Sequence, residues 1–221
     1  MATTTTSAET RTRCEDVLAN LPVSKTTQYS KGQIIYDPEK RSASIYLVVA
    51  GKVGVSHMAD DGSEVLLEIV RPDELFGESA FVEASRSSER AKAIETAQLM
   101  NWAIADIEEL VTKRPRLAVA LMQILAQRNA EYTRRIESFA MDTVERRLAR
   151  SLIRFSERFG TQEAGGSVWM MPLTHEMLSR YVGTSREIVS QHMSRFRKHG
   201  YVSYSREGIR LHRNTLKAVL D

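Results

Sequence analysis

Residues 173–200 carry the pattern that most limits what this chain can fold into. Thr174 suits the N-cap of a helix that would stop at Gly183, because glycine readily adopts the left-handed conformation that ends helices. Thr184, followed three residues later by Glu187, has the spacing of a capping box for a second helix. A helix, a tight glycine turn and a second helix predict a helix-turn-helix.

The outward side of the second helix has the residue types that read the major groove of DNA. Arg can donate two hydrogen bonds to guanine, Glu can accept one from cytosine, and Gln can pair with adenine. Arg195 and Lys198, further along, can reach phosphates. The predicted DNA contacts are Thr174, Ser185, Arg186, Glu187, Ser190, Gln191, Arg195 and Lys198.

Two alternating runs follow, at residues 201–204 and 209–212, on either side of Glu207 and Gly208. Such a pattern is typical of a β-hairpin, which here would be the wing of a winged helix-turn-helix. The alternative interpretation is an ordinary helical hairpin with a polar face. The caps, the glycine turn and the hairpin occur in the order that a winged helix-turn-helix requires, and this order favours DNA binding.

Charge is divided unevenly along the 221 residues, although the net charge is only +3. Residues 1–113 have 12 Lys and Arg against 18 Asp and Glu, a net charge of −6. Residues 114–221 have 19 against 10, a net charge of +9. The basic half indicates a polyanionic partner, and the acidic half indicates a different function that does not involve that partner.

Other features exclude several classes of protein. Apolar runs reach only about five residues, too short to cross a bilayer, so we expect no membrane partner. Residues 1–9 lack the hydrophobic stretch of a signal peptide, and a single cysteine, Cys14, fits the reducing cytoplasm. One cysteine excludes a disulfide and a four-cysteine zinc or iron–sulfur site within the chain. His57 is the candidate axial ligand of a haem, but a lone strand histidine is usually structural, so we expect neither haem nor metal.

The acidic half has the pattern of a β domain. After an N-terminal tail and short helix in residues 1–24, short β-rich runs occur between residues 25 and 113, with glycines near their ends. Asp61 and Gly62 lie between two runs and indicate a hairpin. Several short strands at close spacing predict a sandwich or a roll. The predicted strands are 33–36, 45–49, 52–57, 64–70 and 99–104.

Residues 114–140 predict one long helix, which begins at Pro115 and contains no glycine or further proline. Because most of the stability of such a helix comes from packing, it needs a partner surface. This is either the chain's own β domain or the same helix of a second chain in a symmetric dimer. Residues 141–143 interrupt the pattern, so the C-terminal domain is predicted at 141–221. The predicted dimer contacts are Leu117, Leu121, Ile124, Leu125, Tyr132, Ile136 and Phe139.

Together these motifs resemble the Crp/Fnr family of bacterial transcription regulators, over about residues 25–215. Residues 182–189, Val-Gly-Thr-Ser-Arg-Glu-Ile-Val, are similar to the recognition-helix signature of the family. The residues similar to its cyclic-nucleotide-binding roll are Lys31, Gly32, Ile34, Ile35, Tyr46, Val48, Gly51, Val53, Phe76, Gly77 and Glu78.

This resemblance implies an α+β fold: an N-terminal cyclic-nucleotide-binding-type β-roll, a long dimerisation helix and a C-terminal winged helix-turn-helix. It also implies a homodimer, not an enzyme, that binds a near-palindromic operator in double-stranded DNA and contacts RNA polymerase. By position, Arg186 and Glu187 match the two main base-reading residues of the family. The third, commonly Arg in the family, is Gln191 here, which predicts a changed preference at one base pair, with adenine favoured.

A candidate effector pocket in the roll also follows from the resemblance. In the family a Gly-Glu pair meets the ribose of the nucleotide, and Gly77 and Glu78 match that pair. On the long helix, Tyr132 and Thr133 take the positions of the family's adenine-contacting pair. Ser79, next to Glu78, is a further candidate.

The position of the phosphate-binding Arg-Ser pair stays open. Arg86 and Ser87 have the right residue types, but they follow Glu78 at a shorter distance than in the family. Counting forward from Glu78 reaches Ser88 instead, and Arg90 is a third candidate. A phosphate needs a fixed cationic partner, so the identity of this arginine decides whether a cyclic nucleotide can bind.

Three interpretations of the effector therefore remain: a cyclic nucleotide such as cAMP, no small ligand, or another effector. Two other classes of protein compete with a DNA-binding regulator. An enzyme is disfavoured because the sequence offers no nucleophile–base–acid set. A cyclic-nucleotide-binding regulatory module that does not touch DNA is disfavoured by the helix-turn-helix at 174–200.

Overall fold

A computed structural model describes residues 20–82, 88–163 and 165–220. Contacts divide the chain into two compact units, Met1–Ala130 and Glu131–Asp221. The predicted N-terminal helix, apart from Asn20, lies outside the described residues. Within those ranges, no helix is long and apolar enough to cross a bilayer.

Short strands build the described part of the first unit, as expected for a chain with frequent turn residues and alternating apolar positions. They are β1 (Thr27–Tyr29), β2 (Ile34–Tyr36), β3 (Ser44–Ala50), β4 (Val53–Met58), β5 (Glu64–Val70), β6 (Leu75–Phe76), β7 (Glu89–Ala93) and β8 (Ala97–Ala103). A 3₁₀ helix, Glu78–Phe81, follows β6.

These strands form two antiparallel sheets, ordered β1-β8-β3-β6 and β2-β7-β4-β5. β4 and β5 meet at the predicted hairpin turn, where Gly62 has a φ of 81°. The fold class predicted for this half is confirmed. Three strands were not predicted, because β1 and β6 are very short and β7, Glu-Arg-Ala-Lys-Ala, is mostly charged.

The inner faces of the sheets bury a core of aliphatic and aromatic side chains. Tyr36, Tyr46 and Phe76 stack on one another, with ring centroids 5.1–6.2 Å apart. Offset ring packing of this kind adds stability beyond the buried area. Tyr36 of this stack also lines the candidate effector pocket.

Helices follow the strands along the chain. They are α1 (Ile104–Lys113), α2 (Pro115–Met141), α3 (Val144–Phe159), α4 (His175–Val182), α5 (Arg186–Lys198) and α6 (Arg213–Leu216). The long helix is present with the predicted start at Pro115, and it ends at Met141, where the sequence pattern breaks.

A second core in the first unit corrects the predicted dimer contacts. Leu117 of α2 is 0% exposed and packs with Trp102 and Ile107, while Leu121 and Ile124 pack against the same cluster. The prediction that Leu117 contacts a second chain is wrong, because its own unit covers it completely. The apolar spacing is shared between two faces of α2, and sequence alone did not tell them apart.

The second unit contains a four-stranded antiparallel sheet beside its helices. Its strands are β9 (Thr161–Gln162), β10 (Val168–Met170), β11 (Val202–Tyr204) and β12 (Ile209–Leu211), in the order β11-β12-β10-β9. α3 begins after Thr143, whose hydroxyl accepts a hydrogen bond from the Arg146 amide. The buried face of α3 includes Leu148, Leu152 and Phe155.

Candidate nucleic-acid interface and effector pocket

Helices α4 and α5 form the predicted helix-turn-helix. Thr174 caps α4, its hydroxyl accepting a hydrogen bond from the Met177 amide at 3.1 Å. Gly183 ends α4 with a φ of 71°, and a Cβ there would lie only 2.8 Å from the Phe139 ring. The positive φ therefore favours glycine at this position.

The cap of α5 differs from the predicted one. Ser185, not Thr184, is the N-cap, and its hydroxyl accepts a hydrogen bond from the Ile188 amide at 3.3 Å. The predicted capping box between Thr184 and Glu187 is thus wrong by one position. Serine and threonine are both good caps, so the sequence offered two adjacent candidates.

A buried set of side chains fixes α5 in its unit. Val189, Met193 and Phe196 of α5 are at most 1% exposed, as are Leu178 and Val182 of α4. These residues recur at helical spacing on one face of α5. The opposite face is therefore held outward by packing.

Most of the predicted DNA-contacting side chains lie on that outward face. Ser185, Arg186, Glu187, Gln191 and Lys198 are exposed. The pKa of Glu187 is lowered by backbone and Ser185 hydrogen bonds at the start of α5. Glu187 is therefore ionised and able to accept a hydrogen bond from a base.

Ser190 has a different environment from its neighbours. It is half-buried, and its hydroxyl donates a hydrogen bond to the Arg186 carbonyl and lies 2.8 Å from His175 Nδ1. The His175 ring in turn meets the edge of Tyr204 in the hairpin, with centroids 5.6 Å apart. Burial, followed by the charge of Arg186, lowers the pKa of His175. Ser190 and His175 thus link α5 to the wing.

Arg195 is already engaged within the protein. Its guanidinium Nη2 donates a hydrogen bond to Glu145 Oε2 of α3 at 2.5 Å. Sequence reasoning missed Glu145, which lies 50 residues away along the chain. A phosphate would have to compete with this carboxylate for Arg195.

In the first unit, Gly77 lines the candidate effector pocket and precedes the 3₁₀ helix. Its φ is 90°, and a Cβ would lie 2.8 Å from the Ser44 carbonyl oxygen, so glycine is required. Glu78, which follows, accepts a hydrogen bond from Arg128 Nη1 of α2. The same guanidinium lies 3.1 Å from Glu68 and donates to the Leu75 carbonyl. Neither Arg128 nor Glu68 was predicted from the sequence.

Glu89 of β7 also lines this pocket. Its Oε1 accepts hydrogen bonds from the Tyr36 hydroxyl at 2.5 Å and from the Ser79 hydroxyl at 2.9 Å. Burial, together with the nearby charge of Glu78, raises the pKa of Glu89. Burial and the Glu89 carboxylate raise the pKa of Tyr36, which therefore remains a donor. The cavity left beside these groups measures about 10 Å³.

The structure brings together only some of the predicted effector residues. Gly77 and Ser79 line the cavity, but Arg86 and Ser87 lie outside the described residues. Arg90 makes an ion pair of 3.9 Å with Asp37. Tyr132 and Thr133 belong to the second unit, where Tyr132 is half-buried and Thr133 is exposed.

The described residues leave little room beside Tyr36 and Ser79, while the candidate phosphate pair Arg86 and Ser87 lies outside them. The cavity holds about one water, whereas pockets for small molecules measure about 300–1,000 Å³. The hydroxyls of Tyr36 and Ser79, which could donate to a phosphate, are directed at Glu89 instead. Glu78, which would accept from a ribose hydroxyl, is bound to Arg128.

A β-roll of this kind and a winged helix-turn-helix in one chain define a DNA-binding regulator with a sensor-type domain. Residues 26–114 match the cyclic nucleotide-binding domain, and residues 146–218 match the Crp-like helix-turn-helix domain. The chain belongs to the Crp/Fnr family of transcription regulators.

Similar proteins come from several bacteria. The transcriptional regulator SdrP of Thermus thermophilus is 31% identical over 183 residues, covering 81% of this chain and 86% of the relative. The CRP-like cAMP-activated global transcriptional regulator of Mycobacterium tuberculosis is 26% identical over 174 residues, covering 79% and 78%. A CRP/FNR-family regulator structure, also from Thermus thermophilus, has a TM-score of 0.68 at 27% identity, covering 88% and 97%.

Proposed function

We propose that this chain forms a homodimer that reads a near-palindromic DNA operator with α5 of each protomer. The observation that carries the proposal is the exposed set Arg186, Glu187 and Gln191 on a helix fixed by buried Val189 and Met193. These side chains have the donors and acceptors that discriminate base pairs in the major groove. Two such helices must lie about 34 Å apart to enter successive major grooves.

We place the phosphate contacts at the ends of the motif. Thr174 is exposed at the start of α4, and Lys198 is exposed at the end of α5. Helix N-termini and basic side chains commonly bind phosphates and fix the register of a protein on the duplex. Arg195 joins this set when DNA displaces Glu145.

The dimer contacts in this proposal differ from those predicted by sequence. One row of α2 residues repeats alternately three and four positions apart, which is the spacing of a coiled-coil seam. Val119, Met122 and Ile136 in this row are 50%, 60% and 67% exposed, large values for apolar side chains. All members of the row are exposed: Val119, Met122, Ala126, Asn129, Thr133, Ile136 and Ala140.

This row replaces most of the contacts expected earlier. Leu125, partly exposed, flanks it, and Ile136 belongs to both sets. The Phe139 ring contacts the guanidinium groups of Arg135 and Arg147 in its own unit, at 5.5 and 5.2 Å. A symmetric pairing of α2 would bury the exposed row in the most common type of oligomer.

RNA polymerase as a partner, a cytoplasmic location and the absence of enzymatic activity complete the proposal. Each is supported by membership of a family of transcription regulators. A cyclic nucleotide such as cAMP remains a second candidate for control, supported by the domain match over residues 26–114.

The test of this function is DNA binding by a matched pair of variants. An operator is first selected from random duplexes with the full chain. Arg186→Ala should weaken operator binding by about 1–3 kcal/mol per half-site and leave non-specific binding nearly unchanged. Arg116→Ala removes an exposed arginine near the start of α2 and should leave operator affinity unchanged. Equal operator affinity of Arg186→Ala and the wild type would contradict the assignment of α5.

A further inference from the structure

The hydrogen bonds around His175, at the start of α4, determine which of its ring nitrogens carries the hydrogen. Nδ1 lies 2.8 Å from the Ser190 hydroxyl, and that hydroxyl donates to the Arg186 carbonyl, also at 2.8 Å. Because a hydroxyl has a single hydrogen to donate, it can only accept from the imidazole. Nδ1 is therefore the donor, and Nε2 is the nitrogen of the neutral ring that can still take up a proton.

Nε2 of His175 is accessible to solvent. Within the described ranges, the hydrogen bond through Nδ1 is the only one that this side chain makes, and the buried side-chain atoms without a partner are all arginine Nε atoms. The residue is half-buried, with the Tyr204 ring of the wing against it. Nε2 is thus open to a proton or to a ligand from solution.

The charged groups near the ring lie on α4, on α5 and beside the wing. Burial, followed by the charge of Arg186, lowers the pKa of His175. The Arg197 guanidinium lies over the Tyr204 ring, 5.4 Å from its centroid. Glu176, the next residue along α4, is held in an ion pair within its own helix. These surroundings favour the neutral imidazole as long as no anion is close to it.

A DNA phosphate would reverse that preference. Thr174 and Arg186, on either side of His175, are exposed and belong to the proposed DNA contacts, so a bound duplex would bring its backbone close to the ring. The negative charge of a phosphate favours the imidazolium and accepts a charge-assisted hydrogen bond. Because the proton enters at Nε2, the Nδ1 hydrogen bond to Ser190 of α5 is kept.

We propose that His175 is a further operator-binding residue, which takes up a proton at Nε2 as the duplex binds and then holds a phosphate as the imidazolium. The inference rests on the proposed function, since the phosphate arrives only when α5 enters the major groove. The proton comes from solvent, with at most one taken up by each protomer. Operator affinity should therefore be highest at acidic pH and fall as the pH rises through the pKa of the DNA-bound ring.

One experiment measures operator affinity against pH for three proteins. Fluorescence anisotropy at constant salt, from about pH 5.5 to pH 8, compares the wild type with His175→Asn and His57→Gln. The asparagine amide can replace Nδ1 as the donor to Ser190, but it cannot be protonated. His57, an exposed histidine of β4 in the roll, provides the matched control.

The wild type and His57→Gln should lose operator affinity by about tenfold or more across this range, because a hydrogen bond to a charged group contributes at least about tenfold. His175→Asn should lose less than about threefold. A wild-type change of less than about threefold would overturn the proposal, as would a His175→Asn protein with the pH dependence of the wild type.

Thermal unfolding verifies that each variant folds. If His175→Asn does not fold, His175→Arg takes its place, because it carries a charge that does not titrate in this range. It should bind the operator with little dependence on pH and more tightly than the wild type at pH 8. The full wild-type pH dependence in this variant would also overturn the proposal.

NMR of the DNA-free protein tests the ring separately from operator binding. Long-range ¹H–¹⁵N spectra should show the hydrogen of the neutral His175 ring on Nδ1, with its signals identified by their loss in the variant. A hydrogen on Nε2 would overturn the proposal. If the wild type binds no selected operator at any pH, the proposed function is wrong and the proton uptake with it. If operator binding does not depend on pH, the proposed function stands and the role of His175 alone is wrong.

Discussion

Glu145 of α3 and Arg195 of the recognition helix α5 form an ion pair, with Oε2 and Nη2 2.5 Å apart. The pair joins a carboxylate to an arginine that we assign to the DNA backbone. Because the Arg195 side chain is 56% exposed, the pair adds little to stability, about 0–1 kcal/mol at most. In the proposed DNA complex, Glu145 would compete with a phosphate for the Arg195 guanidinium.

Glu145→Gln should therefore strengthen DNA binding. The change frees Arg195 and removes a negative charge near the duplex, so the slope of log affinity against log salt should become steeper by about one counterion. Anisotropy titrations over a salt series measure both quantities. Glu109→Gln, which removes the partner of Lys113 on α1, is the control and should change neither. An unchanged or weaker affinity of Glu145→Gln would contradict the role of Arg195.

Gln191→Arg should alter which operator is bound. Gln pairs best with adenine, whereas Arg donates two hydrogen bonds to guanine, so the variant should prefer guanine at one base pair of each half-site. A discrimination of about 1–3 kcal/mol for that base is expected. Selection from random duplexes with both proteins measures the change, and identical selected sequences would mean that Gln191 does not contact a base.

Met122→Lys should distinguish the proposed dimer face of α2 from the face that packs in the second core. Met122 is exposed in the proposed seam, so a charge there should prevent dimerisation while the roll stays folded. Leu117→Ala should instead lower the free energy of unfolding by about 2–5 kcal/mol, because it leaves a cavity in the second core. Light scattering and chemical unfolding measure the two effects. A dimeric Met122→Lys protein would require another interface.

Glu89 predicts a specific dependence of stability on pH. Its raised pKa means that the folded protein holds this proton more tightly than the unfolded chain does. The stabilisation is therefore fully present at low pH, and it is lost as the pH rises from about 4.5 through the raised pKa. Glu89→Gln, which keeps the hydrogen bonds of Tyr36 and Ser79, should lack this dependence.

The difference in the free energy of unfolding between Glu89→Gln and the wild type should thus grow with pH in favour of the variant. Chemical unfolding of both proteins at a series of pH values from about 4.5 upwards measures that difference, because the window opens at the ordinary glutamate pKa and burial raises the pKa of Glu89. A constant difference would mean that the Glu89 carboxyl titrates as it does in the unfolded chain.

The helix-turn-helix could be predicted because its signals are local. Thr174, Gly183 and the α5 cap act within one turn of their own helix, and the buried residues of α5 repeat at helical spacing. The start of α2 at Pro115 was likewise a local signal. Only the exact cap of α5 was misplaced, between two neighbouring hydroxyl residues.

The residues missed by sequence reasoning act over long distances along the chain. Arg128 contacts Glu78 across 50 residues, and Tyr36 contacts Glu89 across 53. One signal for Glu89 was present, since it shares the alternating face of β7 with buried Ala91 and Ala93. Leu117 was misassigned because an apolar helix position does not reveal whether its partner is the same chain or a second one.

Selection of an operator from random duplexes by the full chain, followed by footprinting, tests the central claim most directly. We predict a near-palindromic sequence whose half-sites lie about one helical turn apart and whose protection is lost in Arg186→Ala. Failure to enrich any sequence, or protection that persists unchanged in Arg186→Ala, would contradict the claim that this chain reads DNA through α5.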